Sequence, residues 1–251
     1  VEQGMLPTLM KLGSASIRVD NHNIDDVSIT VRAPNVLKGV MRIDGNDAAL
    51  PSGLRLWLDS TEGLVFEANT TVQVDGSFAF DNVPTGQYRI QIRGGASEGY
   101  YLKALGHGGV EGTDLAFSFS GAADTIELTL SAHGAHVSGV IRRNDRARSM
   151  TARVVLIPDT RDTGLVESDT HAAMLDQSGV FTVKDAIRPG EYTLYAFEGV
   201  PEGAWTDAEF MKEIEGKGVR VKPGEGDVKT VEIPLIPRPD LTALITRLGM
   251  N

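Results

Sequence analysis

Few side chains in this 251-residue chain have the type and spacing to do chemistry. Five histidines are present, and His133 with His136 has a spacing that can hold a metal. Zinc takes three or four ligands. The surrounding segment SAHGAHVSG supplies no Asp or Glu to complete such a set, so the pair reads as a solvated turn between domains. The segment DNHNIDD gathers Asp20, Asn21, Asn23, Asp25 and Asp26, oxygen donors of the kind calcium prefers. It lacks the glycine and the terminal glutamate of the twelve-residue calcium loop and reads as a polar turn.

Other constellations fall short in the same way. GHGGVEG at 106–112 is glycine-rich but has no lysine followed by Ser or Thr, so it is a flexible turn and not a phosphate loop. No G-x-S-x-G elbow or H-E-x-x-H helix occurs. Arg142, Arg143, Arg146 and Arg148 form the one local basic cluster, expected on a hairpin turn and able to meet an anionic partner. An internal Lys to Asn crosslink would need a buried lysine. Lys38 is the candidate, but Ser138 stands at the matching place of a second copy, and a surface role is simpler. The expectation is therefore a protein that is not an enzyme and uses no cofactor or metal.

Aromatic rings offer one further chemistry, stacking on a sugar. Trp205 in the loop GVPEGAWTD, and Tyr100 and Tyr101 after the loop GGASEG, are the candidates for exposed rings. Trp57 lies in the apolar run LRLWL and is expected in the core, and Tyr195 is also available.

Composition narrows the class. A formal net charge of -10 argues against nucleic acid, whose phosphates demand a basic surface. Cysteine is absent, which excludes disulfides and thiolate chemistry. No apolar run is long enough for a membrane span, and no signal-peptide pattern opens the chain. It begins at Val1, which reads as a mature or excised piece of something longer.

The elements that position these residues repeat. Val74 to Ile92, VQVDGSFAFDNVPTGQYRI, returns as Met174 to Leu194, MLDQSGVFTVKDAIRPGEYTL. Each copy has a polar turn ending in glycine (Gly76, Gly179), then alternating apolar residues. A Pro and Gly turn follows and leads to a tyrosine two residues on (Pro84, Gly86, Tyr88; Pro189, Gly190, Tyr192). Gly39-Val40 and Gly139-Val140 open the copies, and the stretch from Gly139 to Gly190 is four residues longer than that from Gly39 to Gly86, as loop insertion would produce. The fold expected is all-β: tandem antiparallel Ig-like or transthyretin-like sandwiches with short peripheral helices. The boundaries expected are 1–35 for the last strands of a preceding partial repeat, 36–135 and 136–236 for two sandwiches, and 237–251 for a tail. One helix is expected in TDAEFMKEIEGKG, capped by Thr206 or Asp207 and covering one end of the second sandwich. Another is expected around Leu241, Leu244, Ile245 and Leu248, capped by Asp240.

The order Gly-Val, then Gly-x-Phe (Gly76 and Phe78, Gly179 and Phe181), then Pro and Gly before x-Tyr resembles carboxypeptidase regulatory-like domains. These are transthyretin-like, Cna B-type sandwiches that recur in tandem in bacterial exported proteins. The resemblance covers residues 36 to 236 and implies no catalytic residues. It implies an extracytoplasmic, cell-envelope spacer or interaction scaffold. Its partners would be neighbouring domains of a longer parent chain or another envelope protein. The alternatives are a carbohydrate-binding module taking a glycan, and an accessory domain of a peptidase.

Overall fold

The computed structural model describes residues 35–250 apart from 46–48, 62–65, 94–97, 122–124, 143–151 and 161–162, together with 17 and 27–29. The expected N-terminal partial repeat, save the few positions just given, the DNHNIDD segment and Arg143, Arg146 and Arg148 lie outside the described residues. The chain divides into two compact units, Val1–Ala96 with Leu102–Leu130 and Ser97–Tyr101 with Ser131–Asn251.

The first unit runs β1 (Asn35–Ile43), β2 (Arg55–Ser60), β3 (Glu67–Thr71), β4 (Ser77–Val83), β5 (Gly86–Arg93), β6 (Tyr101–His107), β7 (Val110–Gly112), β8 (Ala116–Phe119) and β9 (Thr125–Ser131). They form a five-stranded sheet, β4-β1-β9-β6-β7, and a four-stranded sheet, β3-β2-β5-β8. The second unit has β10 (His136–Arg142), β11 (Ala152–Pro158), α1 (Thr163–Asp169), β12 (His171–Met174), β13 (Val180–Thr182) and β14 (Tyr192–Glu198). After a 3-10 turn (Ala204–Thr206) come α2 (Ala208–Glu213), β15 (Val219–Val221), β16 (Val228–Ile236) and α3 (Arg238–Arg247). Its strands follow the order β12-β11-β14-β16-β10-β13, with β15 on β14. The all-β fold with short helices is thus as the alternation of apolar residues predicts. Pairing is mostly antiparallel, but in each unit the first strand lies parallel to the last, β1 on β9 and β10 on β16.

Alternation explains both cores. In β1, Leu37, Gly39 and Met41 face inward while Lys38, Val40 and Arg42 face out. Leu37 and Met41 are buried, as are Phe78, Phe80, Leu56, Leu58, Tyr88, Ile90, Ile126 and Leu128 in the same unit. In the second unit Val137, Val154, Leu156, Phe181, Tyr192, Leu194 and Ile233 form the matching cluster.

The repeated motif has a physical reason at each residue. Gly39 pairs across the sheet with Phe78, and Gly139 with Phe181. A Cβ at Gly39 would overlap the Phe78 ring and sit 2.8 Å from the Ile126 carbonyl oxygen. At Gly139 it would fall on the Val231 carbonyl oxygen and 2.9 Å from the Phe181 ring. The glycines therefore leave room for the aromatic ring beside the parallel pair. The polar turns are closed by aspartates. The Asp75 carboxylate accepts from Ser77 N at 2.9 Å, and that of Asp176 from Ser178 N at 2.8 Å. Gly76 and Gly179 take φ of 85° and 82°.

The tyrosines close the motif. Tyr88 Oη donates to the Pro84 carbonyl at 2.9 Å, and Tyr192 Oη to the Arg188 carbonyl at 2.9 Å. A buried ring thus keeps its hydroxyl satisfied by its own turn. By this bond Arg188, not Pro189, is the counterpart of Pro84. Gly86, two residues before Tyr88, does not take positive φ; just ahead of the turn Asn82 does, at 60°. At Gly190 the reason for glycine is space, since a Cβ would stand 3.1 Å from the Tyr192 ring.

The helices differ from expectation in detail. Asp207 caps α2, its carboxylate accepting from Phe210 N at 2.8 Å. Asp240 sits in the first turn of α3, and Pro237 takes the cap position. Neither α1 nor β7 was expected, because each spans under eight residues with no apolar period.

Burial raises the pKa of Tyr192 well above the ordinary 10.0, with Asp169 adding to the rise. A folded-state pKa raised in this way gives stability that is full below the unfolded value and is lost as pH climbs toward the folded one. Urea melts should show wild type losing stability above about pH 10, and Tyr192→Phe losing less there while giving up about 1 kcal/mol at neutral pH with the missing hydrogen bond. Gly139→Ala should cost about 1–3 kcal/mol in the same melts through forced displacement of the strands.

Candidate functional site

Two sheet faces on the outside of the sandwiches are equivalent in topology and opposite in chemistry. On β2 the inward residues are Leu56 and Leu58, so Arg55, Trp57 and Asp59 face out. Trp57, expected in the core, therefore lies half-buried on the outer face. Period-two spacing from Leu56 would have placed it there.

Its neighbours are polar. Across the strands Trp57 pairs with Gln91 and Asn69, Arg55 with Arg93, and Asp59 with Arg89. The guanidinium carbons of Arg55 and Arg93 each lie 5.6 Å from the indole centroid. Arg93 is fixed there, donating from Nε to Gln91 Oε1 at 3.2 Å and from Nη2 to Asp59 Oδ2 at 3.2 Å, with Glu67 3.6 Å away. Arg55 Nη2 donates to Asn69 Oδ1 at 3.5 Å. Arg89, 5% exposed, lies 3.7 Å from Asp114. Each cation over a ring contributes about 0.5–1 kcal/mol at an exposed site. The cluster ties three strands together and occupies the ring with guanidinium groups.

The matching face of the second unit is apolar. Val155 and Ile157 of β11, Tyr195 and Phe197 of β14 and Ile236 of β16 face outward and are covered by Trp205, α2 and α3. The α2 helix therefore lies on a sheet face, where an end of the sandwich had been expected. Tyr195 and Phe197 stack at 5.8 Å with rings 5° apart.

The rings singled out for sugar stacking occupy these positions. Trp205 is 9% exposed, with the Arg153 guanidinium 5.4 Å over its ring and Arg153 in turn 3.2 Å from Glu202. Tyr101 is buried and Tyr100 half-buried.

Among the described residues no three His, Asp or Glu side chains form a metal-holding group. His133 and His136 are exposed, the first accepting from Gly226 N through its carbonyl and the second opening β10. Lys38 is exposed on the outer side of β1. Arg142 lies 3.8 Å from Glu232. The GHGG turn forms one wall of a half-open cavity of about 480 Å³, whose other lining includes Arg42, Asp44, Glu111 and Glu127. Arg42 is ion-paired with Glu127 there, and Asp44 with Lys103. Two further pairings are legible only in three dimensions: His171 Nδ1 meets Asp185 Oδ2 at 3.0 Å and Arg188 Nε meets Asp169 Oδ2 at 3.2 Å, holding α1 and β12 to the tyrosine turn.

No protein-family model matches the chain, and no curated protein matches it. Among solved structures it is similar to the minor pilin GBS52 of Streptococcus agalactiae, at 13% identity over 80% of this chain and 94% of that one, with a TM-score of 0.35. It is likewise similar to the shaft pilin SpaA of Lactobacillus rhamnosus GG, at 11% identity over 80% and 97% with a TM-score of 0.30. The Bacillus anthracis TIE protein is similar at 12% identity and a TM-score of 0.29, over 84% of this chain, which spans 36% of that protein's chain.

With its ring packed inward, Trp205→Ala should lower the melting midpoint of the second unit, by an amount matching about 3–5 kcal/mol. A glycan array that lights up with wild type and goes dark with a fully folded Trp205→Ala protein would contradict that placement.

Proposed function

We propose that this chain is a structural segment, a spacer or scaffold of a larger exported bacterial protein, whose partners are neighbouring domains of its parent or another envelope protein. The carboxypeptidase regulatory-like resemblance supports the extracytoplasmic setting. Among the described residues no helix is long and apolar enough to cross a membrane.

One observation carries the reading. In each unit the strand by which the chain arrives and the strand by which it leaves are hydrogen-bonded neighbours running in the same direction. Lys38 to Ile43 pair in register with Thr125 to Leu130, and His136 to Arg142 with Val228 to Pro234. The chain therefore comes in at one end of the pair and departs at the other. Tension between these points acts along the strands, so all the rungs of the ladder share it at once. Opposite charges brace both ladders on the outer side, Arg42 with Glu127 and Arg142 with Glu232.

Pulling geometry tests this reading. The chain has no cysteine, so handles attach cleanly at introduced ones. Handles at Val36→Cys and Ala132→Cys load the β1·β9 ladder lengthwise, whereas Val36→Cys and Asp81→Cys open β1·β4 rung by rung. The first pair should require severalfold more force to unfold the unit. Equal forces would remove the support for a load-bearing spacer.

A further inference from the structure

We propose that α3 is a detachable strap, which tension through the C-terminal end lifts from the second sandwich before the β10·β16 ladder gives way, and which reseats when tension falls. The proposal rests on the spacer reading and adds to it an order of events.

The strap and the ladder are continuous and are loaded differently. Only Pro237 separates the end of β16 at Ile236 from the start of α3 at Arg238. Force arriving from the C-terminal side therefore meets α3 before it meets β16. Leu241, Leu244 and Ile245 are the buried residues of α3, seated in the cluster that holds Val155, Tyr195, Phe197, Phe210 and Ile236. Leu241 lies about a turn away from Leu244 and Ile245, so a pull on the last turn breaks the Leu244 and Ile245 contacts before that of Leu241. The β10·β16 ladder keeps seven residue pairs in register and meets the same pull lengthwise. Its last strand is also joined to β14 at Ala196↔Leu235 and Phe197↔Ile236.

Polar contacts tie α3 to its surroundings at both ends. At the far end Arg247 Nη2 donates to Glu213 Oε1 of α2 at 2.8 Å, an exposed pair that water weakens. At the near end Arg238 N donates to the buried Glu198 carboxylate at 3.0 Å, and Arg238 Nη1 to the Gly199 carbonyl at 3.2 Å. The exposed contact takes the load first and the buried one last. A free helix of ten residues is marginal in water, so α3 unravels once lifted.

Lifting α3 bares part of the outward apolar face of β14 and β16. That face includes Phe197 and Ile236, 1% and 5% exposed with the strap in place. An open patch of this kind is unfavourable in water. The same cost drives α3 back onto its seat when tension falls.

Magnetic tweezers on the whole chain, tethered at its two ends, test the proposal. Wild type should show a small reversible step below the force of the main unfolding events. A ten-residue helix of ~15 Å drawn out to ~35 Å sets its size at about 20 Å. The pair Glu213→Cys and Arg247→Cys replaces the exposed ion pair with two thiols, which a reducible bis-maleimide crosslinker joins to clip α3 to α2. Crosslinked, this protein should lose the small step, and reduction of the linker should restore it. Leu244→Ala should move the step to lower force. A small step that survives in the crosslinked pair belongs to another segment and overturns the strap. So do traces with high-force events and no small step, which leave the spacer reading standing. Loss of the high-force events with the small step retained would instead sink the spacer reading.

Discussion

An aromatic ring lying against a glycine is the contact on which each unit depends. Phe78 over Gly39 and Phe181 over Gly139 place a large apolar group beside the parallel pair of first and last strands. No side chain can replace hydrogen at either glycine without moving a carbonyl or the ring. Around this seat the rest follows. The Asp-closed turn delivers the phenylalanine, and the turn carbonyl of Gly76 or Gly179 accepts from the first strand, from Met41 N at 2.8 Å or Ile141 N at 3.2 Å. The tyrosine bond to its own turn then fixes where β5 or β14 begins.

On this shared frame the two units dress their outer faces in opposite ways, and short sequence differences decide it. LRLWL alternates, so one face of β2 is apolar and the other carries Arg55 and Trp57 into a charged cluster. RVVLI does not alternate, so β11 has an apolar group on both faces. The second face must be covered, and the chain between β14 and β15 together with α3 supplies the cover. The first unit spends the corresponding chain on β6 and β7, which extend its sheet. Insertion of helices in one copy and strands in the other is thus a consequence of what each outer face exposes.

Much of this was legible in the sequence. The strands, the repeated turns and the tyrosine hydroxyl's search for a backbone acceptor follow from alternation and from the cost of burying an unpaired hydroxyl. Three things were not. Trp57 was drawn into the core by the company of leucines, although its parity with Arg55 placed it outside. Trp205 looked exposed because its loop is rich in Gly and Pro, and only the apolar outer face of β14 explains why the ring turns inward. The parallel pairing of first and last strands depends on contacts about ninety residues apart, which local pattern does not encode. Candidate chemistry was harder still, because charged side chains such as Arg93, Arg188 and His171 find their partners across strands and turns.

If the parallel ladder is the element that holds each unit together, its amides should be the last to open. Native-state hydrogen exchange reads this directly. The account predicts that ladder amides of β1 and β9, and of β10 and β16, exchange only through unfolding of their whole unit, with the highest protection in it. Exchange of these amides at a lower free energy than those of β2 and β5, or of β11 and β14, would contradict it.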